Sequence, residues 1–345
     1  MSTASGRRKV TIHDVARQAG VSITTVSHSL NGKGVVAEET RARVHEVATK
    51  LGYSADAIAR GLRSSRLGVL GLVIRPLDSL DSYQPIGVDY FMRFAGAAAV
   101  EALDRGFGLM LVRDPTTHSV PAIALAVDGF IISDPIANDP VIDLLNRHGI
   151  PLVAVGRDID RPEFTDWLGE DTSQDTRTVI EHLSAHGARS IALVRGTDAN
   201  SWNADSESAY RHWAAECGQP AAVYLEDERS GEDGGRAVAE LMLASPTGVP
   251  DAIYCLTGRH AAGLQKRLVE QGHRVPIDVM IVAGADSEQT RNATPPITSI
   301  DLTPESTAKA AVTQLLQLLS DTPTAEHVRP SITNILRIRE STARV

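Results

Sequence analysis

Hydrophobic positions follow two different patterns along the chain, and the change between them divides it. Between residues 11 and 52 apolar side chains recur every three to four residues, which is typical of short amphipathic helices. From residue 67 onward, continuous apolar runs alternate with helical stretches. Continuous runs indicate strands that are buried on both faces. The pattern therefore predicts a small helical head followed by a larger body of strands and helices.

The head is predicted to contain three helices. Thr11 can cap the first helix with Asp14 completing a capping box, and Ser22 can cap the second helix. The second helix ends near residue 31, and the third runs over about 38–51. The first two helices are joined by a short turn that contains glycine, which is the spacing of a helix-turn-helix.

The body is predicted to be an α/β fold with parallel sheets. Helical stretches such as 90–105, 171–186 and 260–271 lie between the apolar runs. Parallel strands joined by right-handed helical crossovers place ligands at the carboxyl ends of the strands. The body is too long for one hydrophobic core, so we expect two α/β lobes with a cleft between them. The predicted strands are 69–74, 108–112, 129–132, 151–155, 190–194, 252–255 and 279–283.

Net charge is distributed unevenly along the 345 residues. The whole chain carries 34 Lys and Arg against 43 Asp and Glu, a net charge of −9. Residues 1–66 carry 11 basic and five acidic residues, a net +6, which leaves −15 on the remainder. This asymmetry favours a head that meets a polyanion. A basic N-terminal arm without a partner is the alternative.

Composition and motifs argue against several other classes of protein. The two cysteines, Cys217 and Cys255, cannot form a disulfide framework, and the chain has neither signal-peptide character nor an apolar run of membrane-spanning length. A nucleophile elbow, a phosphate-binding glycine loop and metal-ligand spacing are all missing, so we expect no enzyme, cofactor or metal. A cytoplasmic location is expected. A periplasmic-type solute-binding protein would have similar lobes, but the basic head argues against it.

The second helix carries residue types suited to reading DNA. Ile23 can contact a thymine methyl, Thr24 can meet a donor or an acceptor, and His28 can donate to guanine. Periodicity gives another interpretation, because Ile23, Val26 and Leu30 form one apolar stripe and favour a core position for Ile23.

The run from Ile12 to Asn31, IHDVARQAGVSITTVSHSLN, resembles the N-terminal signature of the lactose-repressor (LacI/GalR) family of bacterial transcription regulators. Further similarity covers nearly the whole chain. It includes Leu51-Gly52-Tyr53, Ala59-Arg60-Gly61-Leu62, Asp128-Gly129, Pro296-Ile-Thr-Ser-Ile300 and Leu336-Arg-Ile-Arg-Glu-Ser341. The resemblance implies a helix-turn-helix domain over 1–52, a hinge helix or linker over 53–66, and a periplasmic-binding-protein-like effector-binding and dimerisation domain over 67–345. It implies a first lobe over about 67–166 plus 300–330 and a second over about 170–297 plus the C-terminal segment.

The resemblance also implies which positions meet DNA, and it places Ile23 at the groove. It implies that Leu62 wedges into a minor-groove step with Arg63 beside it, as apolar wedges do in kinked DNA; a core leucine is the alternative. His28 stands where the family most often has Arg, and Ala37 replaces the usual Ser cap. The implied DNA-binding residues are Thr11, Ser22, Ile23, Thr24, Thr25, Ser27, His28, Asn31, Tyr53, Arg60, Leu62 and Arg63.

The resemblance places an effector site in the cleft, but the expected sugar contacts are altered. Ser206 replaces an Arg that clamps effector oxygens, and Arg229 replaces a stacking aromatic. Asp286 can accept hydrogen bonds from a ligand or can merely cap the next helix, and Arg229 with Arg259 can receive an anionic ligand. The effector can therefore be a sugar or another small metabolite. The implied effector-binding residues are Tyr90, Phe91, Asn200, Trp202, Ser206, Arg229, Thr257 and Asp286.

These observations together predict a homodimeric repressor that binds a palindromic double-stranded DNA operator, with no membrane partner. One helix-turn-helix reads only a half-site, so two chains are expected. The chain stops soon after its Arg-Glu-Ser segment, which favours a dimer over a tetramer. The sequence does not distinguish an inducer from a co-repressor.

Overall fold

The computed structural model describes residues 10–30, 34–53, 66–75, 89–169, 171–320 and 332–343. The chain divides into two compact units, Met1–Leu67 and Gly68–Val345. Asn31, Arg60, Leu62 and Arg63 lie outside the described residues, so their predicted DNA contacts remain predictions.

The first unit contains the three predicted helices, α1 (Ile12–Ala19), α2 (Ile23–Leu30) and α3 (Glu38–Leu51). The backbone amide and the hydroxyl of Thr11 both donate to Asp14 Oδ2, at 3.0 and 2.7 Å, at the start of α1. Helix α3 follows Ala37 without a side-chain cap, as expected from the missing Ser.

The core of this unit is formed by one face of each helix. Val26 is completely buried, and Leu30 packs partly against the core. Ile23 is 42% exposed, so the prediction from periodicity that it belongs to the core is wrong. It stands in the first turn of α2, about one turn before Val26, which is buried in the core. The buried core residues are Val15, Ala16, Ala19, Val26, Val44 and Ala48.

The first lobe of the second unit is a five-stranded parallel sheet in the order β2-β1-β3-β4-β5. Leu70 and Leu72 pack on one face with the helices at 89–104 and 304–319, while Val73 packs on the other face with the helix at 140–147. Both faces are covered, which explains the continuous apolar runs. The strands are β1 (Val69–Ile74), β2 (Gly108–Leu111), β3 (Gly129–Ser133), β4 (Leu152–Val155) and β5 (Trp167–Leu168), and the helices are α4 (Asp89–Asp104), α5 (Pro140–Arg147), α11 (Pro304–Leu319) and a 3-10 turn (Ala122–Leu125).

The second lobe is a six-stranded sheet in the order β11-β10-β9-β8-β6-β7. Its strands are parallel except β11, which runs antiparallel to β10 and departs from the predicted all-parallel arrangement. The strands are β6 (Ile191–Arg195), β7 (Ala222–Leu225), β8 (Ala252–Cys255), β9 (Met280–Ala283), β10 (Thr298–Asp301) and β11 (Ile335–Arg337). The helices are α6 (Thr172–Ala185), α7 (Ser201–Glu216), α8 (Gly231–Leu243), α9 (Gly258–Glu270), α10 (Glu288–Asn292) and a 3-10 turn (Glu228–Ser230).

The chain passes between the lobes after β5, after β10 and before β11. Strand β10 lies wholly in the second sheet, so the predicted start of the return segment at residue 300 moves to 302. All seven predicted strands are present with ends within one residue of the prediction. The shortest strand, β5, and the strands β7, β10 and β11 were not among them.

Candidate nucleic-acid interface and ligand cavity

The first turn of α2 is capped by one pair of side chains and leaves another pair open to solvent. Ser22 Oγ accepts from the backbone amide of Thr25 at 3.0 Å and lies 2.8 Å from the Thr25 hydroxyl. Ile23 and Thr24 are exposed and make no contribution to the core. An exposed isoleucine at a helix N-terminus has no structural role here, which suits it for contact with an external partner.

The remaining predicted DNA contacts in the described part of the head are more enclosed. Ser27 and His28 are half-buried, and Tyr53 packs partly against the head core. The His28 ring lies against Gly34, where an added Cβ would stand 2.5 Å from Nδ1. Gly34 also has a φ of +71°, so both its space and its backbone favour glycine. Thr11 is exposed.

Helix α2 is fixed by α3 through contacts that the sequence did not reveal. The carbonyl of Ser29 accepts from Arg41 Nη1 and lies within bonding distance of His45 Nε2, both at 3.2 Å. A cation such as Arg41 at the carboxyl end of a helix is favoured by the helix dipole. These contacts position the helix that presents Ile23 and Thr24.

A cavity of about 360 Å³ lies between the two lobes of the second unit. Its walls come from the segments that follow the carboxyl ends of the strands, such as Arg75 after β1, Arg157 after β4 and Thr257 after β8. This is the expected position for a ligand in an α/β fold, and the volume suits a small molecule.

Seven of the eight predicted effector residues line this cavity: Tyr90, Phe91, Asn200, Trp202, Arg229, Thr257 and Asp286. Ser206 does not, because its side chain is fully buried and its Oγ has no hydrogen-bond partner among the described residues. The helical turn of α7 presents Asp205 to the cavity in its place. Ligand binding by the seven remains a prediction.

Asp286 is held by four donors from the second lobe. They are Ser299 Oγ at 2.7 Å, Thr290 Oγ1 at 3.0 Å, Arg291 Nη1 at 2.8 Å and Arg339 Nη2 at 2.8 Å. Burial acts to raise the pKa of Asp286, but these bonds and charges lower it overall. The capping alternative is not observed, since Ser287 caps α10.

Ion pairs join the two lobes across the cavity. Asp89 at the start of α4 accepts from Arg291 Nη2 at 3.0 Å, which connects the first lobe to Asp286. Arg157 after β4 pairs with Asp205 of α7. Each pair therefore joins a residue of the first lobe to a residue of the second.

The four lining arginines differ in their partners. Arg75 pairs with Asp114 and Asp139, and Arg229 pairs with Asp227 at 3.0 Å. Arg259 donates to the carbonyl of Glu228 at 2.9 Å and has no carboxylate partner among the described residues. Burial lowers the pKa of Arg259. The alternative of an anionic ligand therefore rests on Arg259 more than on Arg229.

Several lining residues were not predicted. Arg75 directly follows β1 and Arg157 lies two residues after β4, so the first polar residue after each of these predicted strands identifies them. Asp134 escapes this rule, because Ser133 is the first polar residue after the predicted strand 129–132. Asn334 gives no such signal, because it precedes β11, a strand that was not predicted. Asp175, Asp198 and Glu228 also line the cavity.

A three-helix head of helix-turn-helix spacing and a two-lobed α/β body with a cavity between its lobes define a DNA-binding regulator with an effector-binding domain. Residues 11–56 match the family described as bacterial regulatory proteins, lacI family, and residues 180–342 match the periplasmic binding protein-like domain. The chain therefore carries a lacI-family helix-turn-helix domain and a periplasmic-binding-protein-like domain.

Curated relatives and solved structures are similar to this chain over most of its length. Catabolite control protein A of Staphylococcus xylosus is 28% identical over 84% of this chain and 87% of its own length. The HTH-type transcriptional repressor PurR of Pasteurella multocida (strain Pm70) is 27% identical over 90% and 92%.

The structure of the lac repressor dimer bound to operator and the anti-inducer ONPF has a TM-score of 0.80, with 23% identity over 97% of this chain and 99% of that one. The CelR–cellobiose complex has a TM-score of 0.70, with 24% identity over 96% and 99%. These two likenesses establish the fold. No helix in the described ranges is long and apolar enough to cross a membrane.

Proposed function

We propose that this chain is a dimeric repressor that binds a palindromic operator, and that a small-molecule effector in the inter-lobe cavity controls its operator affinity. The observation that carries the DNA-binding part is the exposed Ile23 and Thr24 at the start of α2. Residues at this position of a helix-turn-helix reach base edges in the major groove. Ser22, Thr25, Ser27 and the head arginines and lysines are proposed to hold phosphates.

The hinge is proposed to complete DNA recognition. Leu62 would enter a minor-groove step from each subunit, with Arg63 beside it. An apolar wedge unstacks a base step and kinks the duplex, and the negative potential of the minor groove attracts arginine. Tyr53, Arg60 and Asn31 are proposed as further contacts.

The dimer is supported by an apolar surface on the first lobe. Met92, Val100 and Leu103 are exposed on α4, and Leu111 is exposed on β2, one of the two edge strands of the described sheet. Exposed apolar side chains that are grouped in this way are typical of a protein interface. A second copy of the same chain is the proposed occupant, since a palindrome requires two heads.

Substitution of Leu103 with Glu should weaken this dimer. Leu103 is 65% exposed in one chain, so a charge there has little effect on the isolated fold but would be buried without a partner in the interface. Light scattering after size exclusion should show monomer at concentrations where the parent protein is dimeric. Ile123→Glu is the matched control, because Ile123 is exposed in the segment that packs on the opposite face of the same sheet. An unchanged dimer in Leu103→Glu would contradict the proposed interface.

The control of operator affinity is proposed to act through closure of the two lobes. Ligand contacts from both lobes, together with the Asp89–Arg291 and Arg157–Asp205 pairs, would favour the closed arrangement. Coupling between two sites is reciprocal, so the operator must change effector affinity by the same factor.

Selection of DNA from a random pool by the purified full chain tests the proposed function. We expect enrichment of a palindrome with a flexible central step, and steep salt dependence from the head lysines and arginines. Binding without any sequence preference would contradict the regulator proposal.

A further inference from the structure

One end of the cavity is formed by residues that stand where the chain leaves or enters a lobe. Gly169 follows β5, Leu302 follows β10 and Asn334 precedes β11, and all three line the cavity. Asp175, in the first turn of α6, lines the same cavity and is reached by Asn334. A group bound here would contact segments that must adjust when the lobes move.

Asp175 and Asn334 form a hydrogen-bonded pair in which one acceptor atom has no donor among the described residues. Asn334 Nδ2 donates to Asp175 Oδ2 at 2.7 Å. The other amide atom, Asn334 Oδ1, is buried and has no donor among the described residues. A buried acceptor without a donor is unfavourable. A bound group that donates hydrogen bonds to this pair would therefore be favoured.

The charge of Asp175 is also uncompensated. Within the described ranges Asp175 has no ion-pair partner. Burial raises the pKa of Asp175, and the hydrogen bond from Asn334 only partly offsets this. The field of Asp175 reaches Tyr254, whose pKa is raised first by burial and then by this charge. A cation beside Asp175 would relieve this unfavourable charge.

We propose that Asp175 and Asn334 form the subsite that selects the effector, and that this subsite takes a primary ammonium group. The proposal rests on the proposed function, in which the cavity binds an effector. An ammonium group brings three N–H donors and a positive charge, so it can donate to Asp175 and offset its charge, while a turn of the Asn334 amide would let Oδ1 accept a further N–H. A hydroxyl brings one donor and no charge.

The remaining walls of the cavity also favour a positively charged ligand. Asp198 and Glu228 also lack a cationic partner among the described residues, whereas three of the four lining arginines are paired with carboxylates. Trp167 and Trp202 line the cavity as well. Aromatic ring faces attract cations.

Matched pairs of small probes test the subsite on the full chain without DNA. Calorimetric titration compares glucosamine with glucose, galactosamine with galactose, and putrescine with butane-1,4-diol. We expect the amine to bind at least tenfold more tightly than its hydroxyl counterpart in at least one pair. Asp175→Asn should remove most of this preference, and Asn334→Ala should reduce it. A thermal unfolding curve for each variant verifies that the fold is retained.

Asp171→Asn is the matched control, because Asp171 is the exposed carboxylate that caps the same helix and asparagine caps equally well. It should keep the amine preference. Equal binding of amine and hydroxyl in all three pairs, or a preference that survives Asp175→Asn, would overturn the proposed subsite. An amine that binds the parent protein through Asp175 but leaves operator affinity unchanged would instead contradict the proposed function and leave the subsite supported.

Discussion

A protein that begins at Gly68 should fold and should have lost all measurable operator binding. Gly68–Val345 forms a compact unit with two sheets and its own hydrophobic cores. The removed segment carries the net positive charge and the helix-turn-helix, while the remainder carries a net charge of −15 and would repel DNA. Fluorescence anisotropy with the selected operator should therefore show no binding at concentrations that saturate the full chain.

Two measurements make this result interpretable. Far-UV circular dichroism and a cooperative thermal transition should establish that the truncated protein retains its sheets and helices. A ligand that binds the cavity of the full chain should bind the truncated protein too, because the lining residues all belong to the second unit. Sequence-specific operator binding by the truncated protein would contradict the assignment of DNA recognition to the head.

Replacement of Arg75 by Met should reduce the free energy of unfolding by about 3–5 kcal/mol. Arg75 joins Asp114 and Asp139, and the side chain of Asp139 is completely buried. Asp139 also accepts from the backbone amide of Val141 at the start of α5, so loss of Arg75 leaves a buried charge beside a structural cap. Chemical denaturation of the parent and the variant measures the difference.

The effect should depend on pH with a defined sign. Burial acts to raise the pKa of Asp114, but hydrogen bonds from Thr116 and the charge of Arg75 lower it overall. A pKa lowered by folding stabilises the native state above the unfolded pKa and loses this contribution as the pH falls. The loss in Arg75→Met should therefore be larger at pH 7 than below about pH 4.

Arg93→Met provides the matched comparison for Arg75→Met. Arg93 pairs with Glu305 at 2.8 Å, but both side chains are substantially exposed. Exposed ion pairs contribute little to the free energy of unfolding, so that of Arg93→Met should fall by at most about 1 kcal/mol. If the free energy of unfolding falls equally in the two variants, burial of the ion pairs of Arg75 with Asp114 and Asp139 has no special effect.

The main strands were predictable because burial on both faces gives an unmistakable run of apolar residues. The runs at β1 and β8 coincide with the predicted bounds. Strand β5 has only two residues, Trp167 and Leu168, which is too short for any periodicity to be recognised. Strand β11 is exposed along much of its length and lies at the edge of its sheet, so it lacks a continuous apolar run.

The sequence predicts the lining residues that directly follow strands. It does not predict those whose position depends on how helices and distant segments pack. Thr257 and Asp286 stand just after β8 and β9 and line the cavity. The choice between Asp205 and Ser206 depends on the rotation of α7, which the sequence does not specify. Asn334 lies 159 residues from its partner Asp175, so no local pattern could join them. Ile23 illustrates the reverse case, in which the family resemblance was more informative than periodicity.

The measurement that tests the central claim most directly is the operator affinity of the full chain with the cavity empty and with it saturated by a ligand. Coupling between the two sites predicts a change of about 5- to 150-fold, or about 1–3 kcal/mol, in either direction. Trp202→Ala, which removes a side chain from the cavity wall, should abolish the ligand effect and leave the affinity without ligand unchanged. Identical operator affinity with and without a ligand proven to occupy the cavity would contradict the account.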